Sequence, residues 1–295
     1  MKEYYADIIK KIDSNYRTMK SMRPLPQDSV NYFVNEMGIS VTHSSNALEG
    51  NTFTFDETRL LLEKGITSSA RSFREHQDIV GYKQGFDFLY SSLKENKVID
   101  EDFIKKIHSF VLNGSLEAGN YRTIQNYVGS LTKVIYTPCS PSEVSFKMKA
   151  YVSELQNDIS KYANFREQDT VNWEELFHAL AKHHIEFEKI HPFIDGNGRT
   201  GRLLLTYEMI LIGLLPADIS YEERERYNAA LASYDVKKER STRPESKTEK
   251  MANLIAECEL KSMKIWNRTF LEYQTTEHKV EDASVAKPTK RKLKL

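Results

Sequence analysis

Apolar residues recur every three or four positions along most of the chain, which is the period of an amphipathic α-helix. Polar residues that favour helix N-termini support several predicted starts, such as Asp100 before residue 102 and Asn172 before Trp173. The pattern therefore predicts an all-α protein. The predicted helices span residues 4–22, 29–48, 56–63, 72–93, 102–112, 142–162, 173–190, 199–214, 221–234 and 246–269.

One segment breaks the helical period. Residues 121–137 are rich in Tyr, Val, Ile and Thr, with Gly129-Ser130 in the middle, and two prolines follow before the next predicted helix. This composition predicts a β-hairpin inside an otherwise helical protein. A lone hairpin is only marginally stable in water, so we expect it to pack against the helices or a partner.

Composition narrows the classes of function. The 295 residues carry 42 basic and 42 acidic side chains. The chain therefore lacks the net positive charge that would favour nucleic acid as a partner. The two cysteines form no metal-binding or disulfide pattern. The first residues lack the apolar core of a secretory signal, and no apolar run is long enough to span a bilayer. A cytoplasmic protein without a membrane partner is the expectation.

Residues 191–202, His-Pro-Phe-Ile-Asp-Gly-Asn-Gly-Arg-Thr-Gly-Arg, carry the densest chemistry of the chain. Pro192 prevents the preceding helix from continuing. Gly196 and Gly198 allow a tight backbone that directs successive N–H groups into one concavity. The next predicted helix begins near Arg199, so the positive end of its dipole faces the same space. The backbone alone therefore predicts an anion-binding site.

The side chains of this segment suit a phosphate ligand and a proton transfer. Arg199 and Arg202 lie three positions apart on one helix face, and guanidinium groups bind phosphate oxygens in a bidentate manner. Asp195 supplies the hard oxygen ligand that Mg²⁺ prefers. His191 has the side chain whose ordinary pKa suits proton abstraction near neutral pH.

Two other interpretations of these residues are disfavoured. Residues 196–201 match the dinucleotide fingerprint GxGxxG, but that fingerprint requires a preceding strand, and here a helix is predicted. Four histidines at positions 178, 183, 184 and 191 could suggest zinc, yet they contain no HExxH and no other familiar ligand spacing. We expect the first three to be packing or surface residues.

Residues 191–202 match the Fic-family signature, HPFx(D/E)GNGRxxR, at every fixed position, and the chain resembles that family over about residues 30–235. The resemblance implies the Fic fold, an all-α core with one β-hairpin flap beside the active-site loop. The usual reaction of the family is transfer of AMP from ATP to a protein hydroxyl, with release of pyrophosphate. ATP is then the substrate and Mg²⁺ the cofactor.

The resemblance also implies roles for individual residues. His191 would be the general base for a Ser, Thr or Tyr hydroxyl of the target. Asp195 would bind Mg²⁺ at the α- and β-phosphates. Arg199 would contact the β-phosphate, and Arg202 would reach the γ-phosphate.

The same resemblance implies an anion hole and an adenine site. Asn197, with the amides around Gly196 and Gly198, would form the anion hole. In Doc-like kinases of the family the position of Gly198 is commonly lysine, so glycine here favours nucleotidyl over phosphoryl transfer, while choline-phosphate transfer stays open. Tyr227 and Asn228 resemble positions near the adenine, and ordinary helix surface is the alternative.

An upstream glutamate resembles a regulatory element of the family. Ser45-Asn-Ala-Leu-Glu49-Gly50 is similar to the Fic inhibitory motif, (S/T)xxxE(G/N). Ser45 and Glu49 are one helical turn apart, and Gly50 suits the left-handed position that ends a helix. A carboxylate there could pair with Arg202 and occupy the group that should hold the γ-phosphate. A solvated charge at the helix end is the alternative for Glu49.

The resulting hypothesis is an autoinhibited protein adenylyltransferase that also modifies itself. The alternatives are removal of AMP by a water that Glu49 positions, and a nucleotide sensor without significant turnover. The resemblance implies target docking by strand addition at the flap, and a homo-oligomer is possible. The predicted parts are an N-terminal helical extension (1–30), the Fic domain (31–235) with its inhibitory helix (29–50) and flap (121–137), a helical segment (236–273), and a basic disordered tail (274–295).

Overall fold

The structure is a computed structural model that describes residues 2–22, 25–67, 70–130, 133–162, 171–233 and 244–285. Within these residues the chain forms ten α-helices and one two-stranded sheet, so the all-α prediction is confirmed. The helices are α1 (Lys2–Ser21), α2 (Gln27–Leu48), α3 (Phe55–Lys64), α4 (Phe73–Lys94), α5 (Glu101–Val111), α6 (Pro141–Tyr162), α7 (Trp173–Ile190), α8 (Asn197–Leu211), α9 (Arg224–Ala232) and α10 (Pro244–Val285).

Side-chain caps explain where several helices begin. Thr54 and Ser72 form complete capping boxes at the starts of α3 and α4. Asp100 accepts a hydrogen bond from the Phe103 N–H at the start of α5, and Asn172 caps α7 in the same way. These polar residues satisfy amide groups that a helix N-terminus leaves without partners.

Helix α8 lies in the middle of the hydrophobic core. Its residues 199–209 are all buried, and it packs against α7, α5 and α4. The preceding loop is anchored to the same core by Phe193, whose side chain is fully buried. Because the loop joins two packed helices and carries a buried anchor of its own, its backbone is held rigidly against the core.

The predicted hairpin is present, with its turn displaced. Strand β1 (Val128–Ser130) pairs antiparallel with β2 (Lys133–Tyr136), and the ladder is irregular between Val128 and Gly129. Gly129 and Ser130 therefore belong to the first strand and not to the middle of the turn. The turn residues 131–132 lie outside the described residues.

The C-terminal boundaries differ from the prediction. Helix α10 continues past the predicted end at residue 269 to Val285, so it enters the segment that was expected to be disordered. Its apolar face, including Met251, Ile255 and Met263, is buried in the main core where α10 packs on α7 and α1. Residues 286–295 and the predicted boundary at 235/236 lie outside the described residues.

Smaller differences concern helix ends. Helix α8 starts at Asn197, two positions before the predicted start, because Gly196 adopts a left-handed conformation as its N-cap. The predicted helix 221–234 begins with a 3₁₀ turn, Tyr221–Glu223, before α9. No helix among the described residues has the length and apolar character needed to cross a membrane.

Candidate active site

A cleft of about 440 Å³ opens where α2 ends, α4 begins and the loop after α7 leads into α8. Polar atoms dominate its walls, and it contains most of the segment predicted to bind an anion. The lining residues are Asn46, Glu49, Gly50, Asn51, Ser72, Arg74, Glu75, Asp78, Tyr127, His191, Ile194, Asp195, Gly196, Asn197, Gly198 and Arg199.

His191 stands at the end of α7 in a left-handed backbone conformation, with φ of 50°. Its N–H donates to the Phe187 carbonyl at 3.0 Å, and its Nδ1 lies 3.2 Å from the Glu188 carbonyl. Nδ1 must carry the proton to donate to a carbonyl, which leaves Nε2 as the basic nitrogen. Burial lowers the pKa of His191 below its ordinary value, and the hydrogen bond to Glu188 only partly opposes this. The imidazole is therefore neutral near pH 7 and suited to accept a proton.

The side chain of Asn197 closes the loop onto itself. Its Oδ1 accepts from the Phe193 N–H at 2.9 Å, and its Nδ2 donates to the Phe193 carbonyl at 2.8 Å. The side chain is thus fully engaged in the loop and is buried. Of the expected anion hole, Gly196, Asn197 and Gly198 line the cleft at the α8 N-terminus, the Gly196 N–H donates to Asp195 Oδ1 at 2.7 Å, and the Asn197 side chain shapes the loop.

His108 on α5 packs against the loop that joins α7 and α8, a contact that the sequence did not indicate. Its ring stacks on Phe193 with centroids 3.7 Å apart. Its Nδ1 accepts from the Gly119 N–H at 2.9 Å, so its Nε2 donates to the Asp195 carbonyl at 3.0 Å. Burial lowers the pKa of His108 to about 4, which keeps this ring neutral in both contacts. No local pattern marks such a residue, because its partners lie far away in sequence.

Arg202 is buried and bonded to the end of α2, as the sequence predicted. Its Nη2 donates to Glu49 Oε1 at 2.7 Å and to the Ser45 carbonyl at 3.0 Å. Its Nε donates to Ser45 Oγ at 2.8 Å. The Tyr227 ring lies against the guanidinium, 5.8 Å from Cζ to the ring centroid. Ser45 and Glu49 of the predicted inhibitory motif therefore both bind this arginine.

The Glu49 carboxylate lies directly over the first turn of α8. A methyl group at Gly198 would overlap Glu49 Oε1, so the glycine allows the carboxylate to approach the helix end this closely. Glu49 caps the C-terminus of α2, and Gly50 follows in the left-handed region with φ of 93°. Burial opposes ionisation of Glu49, yet the charges of Arg202 and Arg199 hold its pKa below the ordinary value. An anion thus already occupies the positive end of this helix.

Two further ion pairs cross the cleft from α4. Arg199 Nη1 donates to Asp78 Oδ1 at 2.5 Å; the arginine is buried, the aspartate is partly exposed, and both line the cleft. Arg74 Nη2 donates to Asp195 Oδ2 at 2.8 Å, with both side chains largely exposed. The sequence did not indicate either partner on α4.

The predicted metal ligand fits a cation that arrives with a nucleotide. No group of three His, Cys, Asp or Glu side chains in the described part of the chain could hold a metal by itself. Asp195 offers one half-exposed carboxylate next to the anion-binding turn. Mg²⁺ is typically bound by one or two carboxylates together with substrate phosphates, so this donor set suits it.

Tyr227 and Asn228 do not line the cleft. Tyr227 is buried with its hydroxyl 2.8 Å from His184 Nε2, where it supports Arg202, and Asn228 is exposed on α9. The other histidines also have protein partners, as expected: His178 bonds Thr248, and His183 lies between Asp158 and Glu208. Helix α7 precedes the glycine-rich loop, so the dinucleotide interpretation is excluded for this segment.

Comparison with known proteins identifies the domain around the cleft. The family model described as "Fic/DOC family" matches residues 98–209. The chain is 37% identical over 189 residues to "Protein adenylyltransferase fic-1" of Caenorhabditis elegans, which covers 63% of this chain and 34% of that protein. It is 29% identical over 233 residues to "Protein adenylyltransferase Fic" of Nematostella vectensis, and this alignment covers 77% of this chain and 50% of that protein. The chain thus spans a third to a half of the length of these relatives.

Solved structures share the fold. A Fic domain containing signaling protein from Bacteroides thetaiotaomicron superposes with a TM-score of 0.76 at 23% identity, covering 89% of this chain and 98% of that one. Fic-1 from C. elegans superposes with a TM-score of 0.69 at 27% identity, covering 92% of this chain and 74% of that one. The agreement extends over nearly the whole chain and therefore includes helices outside the matched domain.

Proposed function

We propose that the chain is an autoinhibited protein adenylyltransferase of the Fic/DOC family, whose model matches residues 98–209. It transfers AMP from ATP to a Ser, Thr or Tyr hydroxyl of a protein, itself included. The observation that carries the proposal is the Glu49 carboxylate bonded to Arg202 directly above the anion-binding turn of α8. The same cleft contains the neutral imidazole of His191, so it combines an anion site, the Glu49 carboxylate that occupies the site, and a base.

His191 provides the base in this reaction. Its Nε2 accepts the proton of the target hydroxyl while the hydroxyl oxygen forms a bond to the α-phosphorus of ATP. The bond from that phosphorus to the bridging oxygen breaks, and pyrophosphate leaves with the electron pair. The product is a phosphodiester between AMP and the target side chain.

The first turn of α8 holds the phosphates. The amides of Asn197 and Gly198 bind phosphate oxygens, Arg199 contacts the β-phosphate, and Arg202 is available for the γ-phosphate once Glu49 leaves it. Asp195 would hold Mg²⁺, which neutralises phosphate charge when bound. Asp195 must first separate from Arg74.

Glu49 inhibits by charge and by volume. Its carboxylate occupies the guanidinium that would bind the γ-phosphate and covers Gly198 at the helix end. ATP that enters beside this carboxylate has its α-phosphate displaced from the line of attack. Movement of the end of α2 would restore Arg202 to the nucleotide.

Protein targets are proposed to dock on the hairpin. Among the described residues β2 pairs only with β1, so its other edge can accept a target segment by main-chain hydrogen bonds next to the exposed Val134 and Ile135. Self-association and a cytoplasmic location stay predictions from the sequence. The tail beyond residue 285 lies outside the described residues, and a nucleic-acid partner is not proposed.

The test is mass spectrometry of the protein after incubation with ATP and Mg²⁺. We expect Glu49→Gly to gain the mass of AMP on a hydroxyl side chain, and wild type to gain much less. Glu95→Gly is the matched control, because Glu95 caps α4 with nearly the same backbone angles and does not line the cleft. Equal labelling of wild type and Glu49→Gly would refute the inhibitory role.

Removal of AMP is the second candidate, supported by the position of the Glu49 carboxylate beside the phosphate site. A target that has been modified beforehand separates the two activities. Removal by wild type but not by Glu49→Gly would support the hydrolytic role. A nucleotide sensor is indicated instead if Glu49→Gly binds ATP yet transfers no label to itself or to any protein of a cell lysate.

A further inference from the structure

The end of α7 is held by the segment that contains the hairpin, residues 122–139. An α-helix leaves its last carbonyls without donors from the helix itself. Here five consecutive carbonyls, those of residues 189–193, all accept hydrogen bonds from this one segment. The bonds are Tyr136 Oη to Lys189 O (3.1 Å), Arg122 Nη2 to Ile190 O (3.5 Å), Arg122 Nε to His191 O (2.8 Å), Arg122 N to Pro192 O (2.9 Å) and Asn126 Nδ2 to Phe193 O (2.8 Å).

Arg122 supplies three of these five bonds. Its guanidinium also donates to the carbonyl of Cys139 at 2.6 Å and to that of Ile124 at 3.3 Å, so it joins both ends of the hairpin segment. The side chain is buried, and the ion pairs found among the described residues do not include it. A buried charge requires compensation, which here comes from carbonyl dipoles at the negative end of α7.

The backbone of His191 needs such support. A residue other than glycine with φ of 50° is strained, and the conformation persists only where the surroundings over-determine it. The His191 N–H is held by Phe187, its ring by the Glu188 carbonyl, and its own carbonyl by Arg122. Arg122 is the one of these contacts that comes from outside α7.

We propose that Arg122 is a positioning residue for His191, which ties the orientation of the imidazole to the placement of the hairpin. The inference rests on the proposed function in that His191 is taken as the base. Only a planar fork can bond the His191 carbonyl and the hairpin base together, and lysine offers one donor centre at a time. The positive charge of Arg122 also favours the neutral imidazole.

The test compares Arg122→Lys and Arg122→Gln in the Glu49→Gly background. We expect the rate of self-modification at saturating ATP to fall roughly 10- to 100-fold in both, because a base displaced by about 1 Å loses that much rate. ATP affinity measured by calorimetry should stay within about twofold, because Arg122 does not line the nucleotide cleft. In an NMR titration of the imidazole, Arg122→Gln should raise the pKa of His191.

Tyr136→Phe is the matched control, since it removes a hairpin bond to the same helix end at Lys189 and leaves His191 untouched. A rate loss in the arginine variants alone supports the proposal, and Arg122→Lys decides it if Arg122→Gln does not fold. The proposal is overturned if both variants keep the rate of the Glu49→Gly parent, if Arg122→Gln leaves the titration of His191 unchanged, or if Tyr136→Phe reproduces the rate losses. The NMR titration is independent of transferase activity, so a failure of the proposed function would be recognised separately.

Discussion

At the scale of single residues, the arginines of the cleft are each bonded to a partner outside their own helix. Arg202 holds Ser45 and Glu49, Arg199 holds Asp78, and no nucleotide is needed for either contact. The guanidiniums are thus already ordered, which lowers the entropy lost when phosphates replace the carboxylates. The cost is that each carboxylate must be displaced before the nucleotide gains the same bonds.

The pH dependence of transfer should reflect the lowered pKa of His191. The base must be neutral, so activity of Glu49→Gly should rise with pH through that pKa and level off above it. We expect the midpoint of this acidic limb to lie below about 6.5, the ordinary imidazole value. Initial rates of label transfer from ATP between pH 5 and pH 8 measure it.

Substitution of the base gives the companion result. His191→Ala in the same background should lose roughly 10²- to 10⁴-fold in rate and keep its affinity for ATP. His178→Ala is the control, because His178 lies on the same helix and bonds Thr248 away from the cleft. A midpoint well above the ordinary value, or a similar loss in both alanine variants, would contradict the assignment.

Arg74 should compete with Mg²⁺ for Asp195. The pair is largely exposed, so its contribution is small, and Arg74→Ala should lower the Mg²⁺ concentration needed for half-maximal ATP binding by roughly two- to fivefold. Fluorescence titration with a labelled ATP analogue measures this midpoint. Arg71→Ala serves as the control because Arg71 pairs with Glu57 outside the loop. A higher Mg²⁺ requirement in Arg74→Ala would instead make this arginine a phosphate ligand.

At the scale of elements, the apolar period predicted all ten helices, and the Tyr, Val, Ile and Thr composition of residues 121–137 predicted the hairpin, because both are local signals. The contact between Glu49 and Arg202 was also predicted, from two motifs taken together. The supports of the loop were not predicted. His108, Asp78 and Arg122 contribute through partners brought near by tertiary packing, and a periodic pattern carries no information on such pairs. The end of α10 was misplaced because its last turns lack a strong apolar period.

The C-terminus of α2 offers a prediction that concerns the helix end itself. Gly50 has φ of 93°, so Gly50→Ala strains the turn that places Glu49, although the space around it is open. We expect a loss of about 1–2 kcal/mol in unfolding free energy and a higher rate of self-modification, because the strained end releases Arg202 more often. Urea unfolding and label transfer measure the two effects.

Gly65 provides a matched control at another helix end. It follows α3 with φ of 66°, and a methyl group there also meets open space. Gly65→Ala should lose a similar amount of stability and leave transfer at the wild-type level. An increase in both variants would show that a general loss of stability, and not the α2 turn, raises the rate of label transfer.

At the scale of the whole molecule, two contacts from α10 secure the chain that leaves α8. Glu259 is fully buried and accepts a hydrogen bond from the Leu215 N–H, and Ser262 donates to the Pro216 carbonyl. Helix α10 packs in turn on α7, which carries His191 at its end. The C-terminal helix therefore packs in one core with the helix that leads into the loop 191–196, although it lies outside residues 98–209.

The burial of Glu259 makes the stability of the protein depend on pH. Burial raises the pKa of Glu259 to about 8, while the Leu215 hydrogen bond only partly opposes it. Between about pH 4.5 and 8 the folded state then holds a proton that the unfolded chain releases, so the stabilising effect of that proton declines as pH rises. The side chain of Glu259→Gln stays neutral at every pH. The unfolding free energy of the variant minus that of wild type should therefore increase by roughly 3–5 kcal/mol from pH 5 to pH 8. Glu257→Gln, on the same helix but paired with Arg226, should track wild type in urea unfolding at both pH values. If the difference in unfolding free energy between Glu259→Gln and wild type is the same at pH 5 and pH 8, Glu259 is ionised in the folded protein. Its charge would then be stabilised by groups other than its single amide partner.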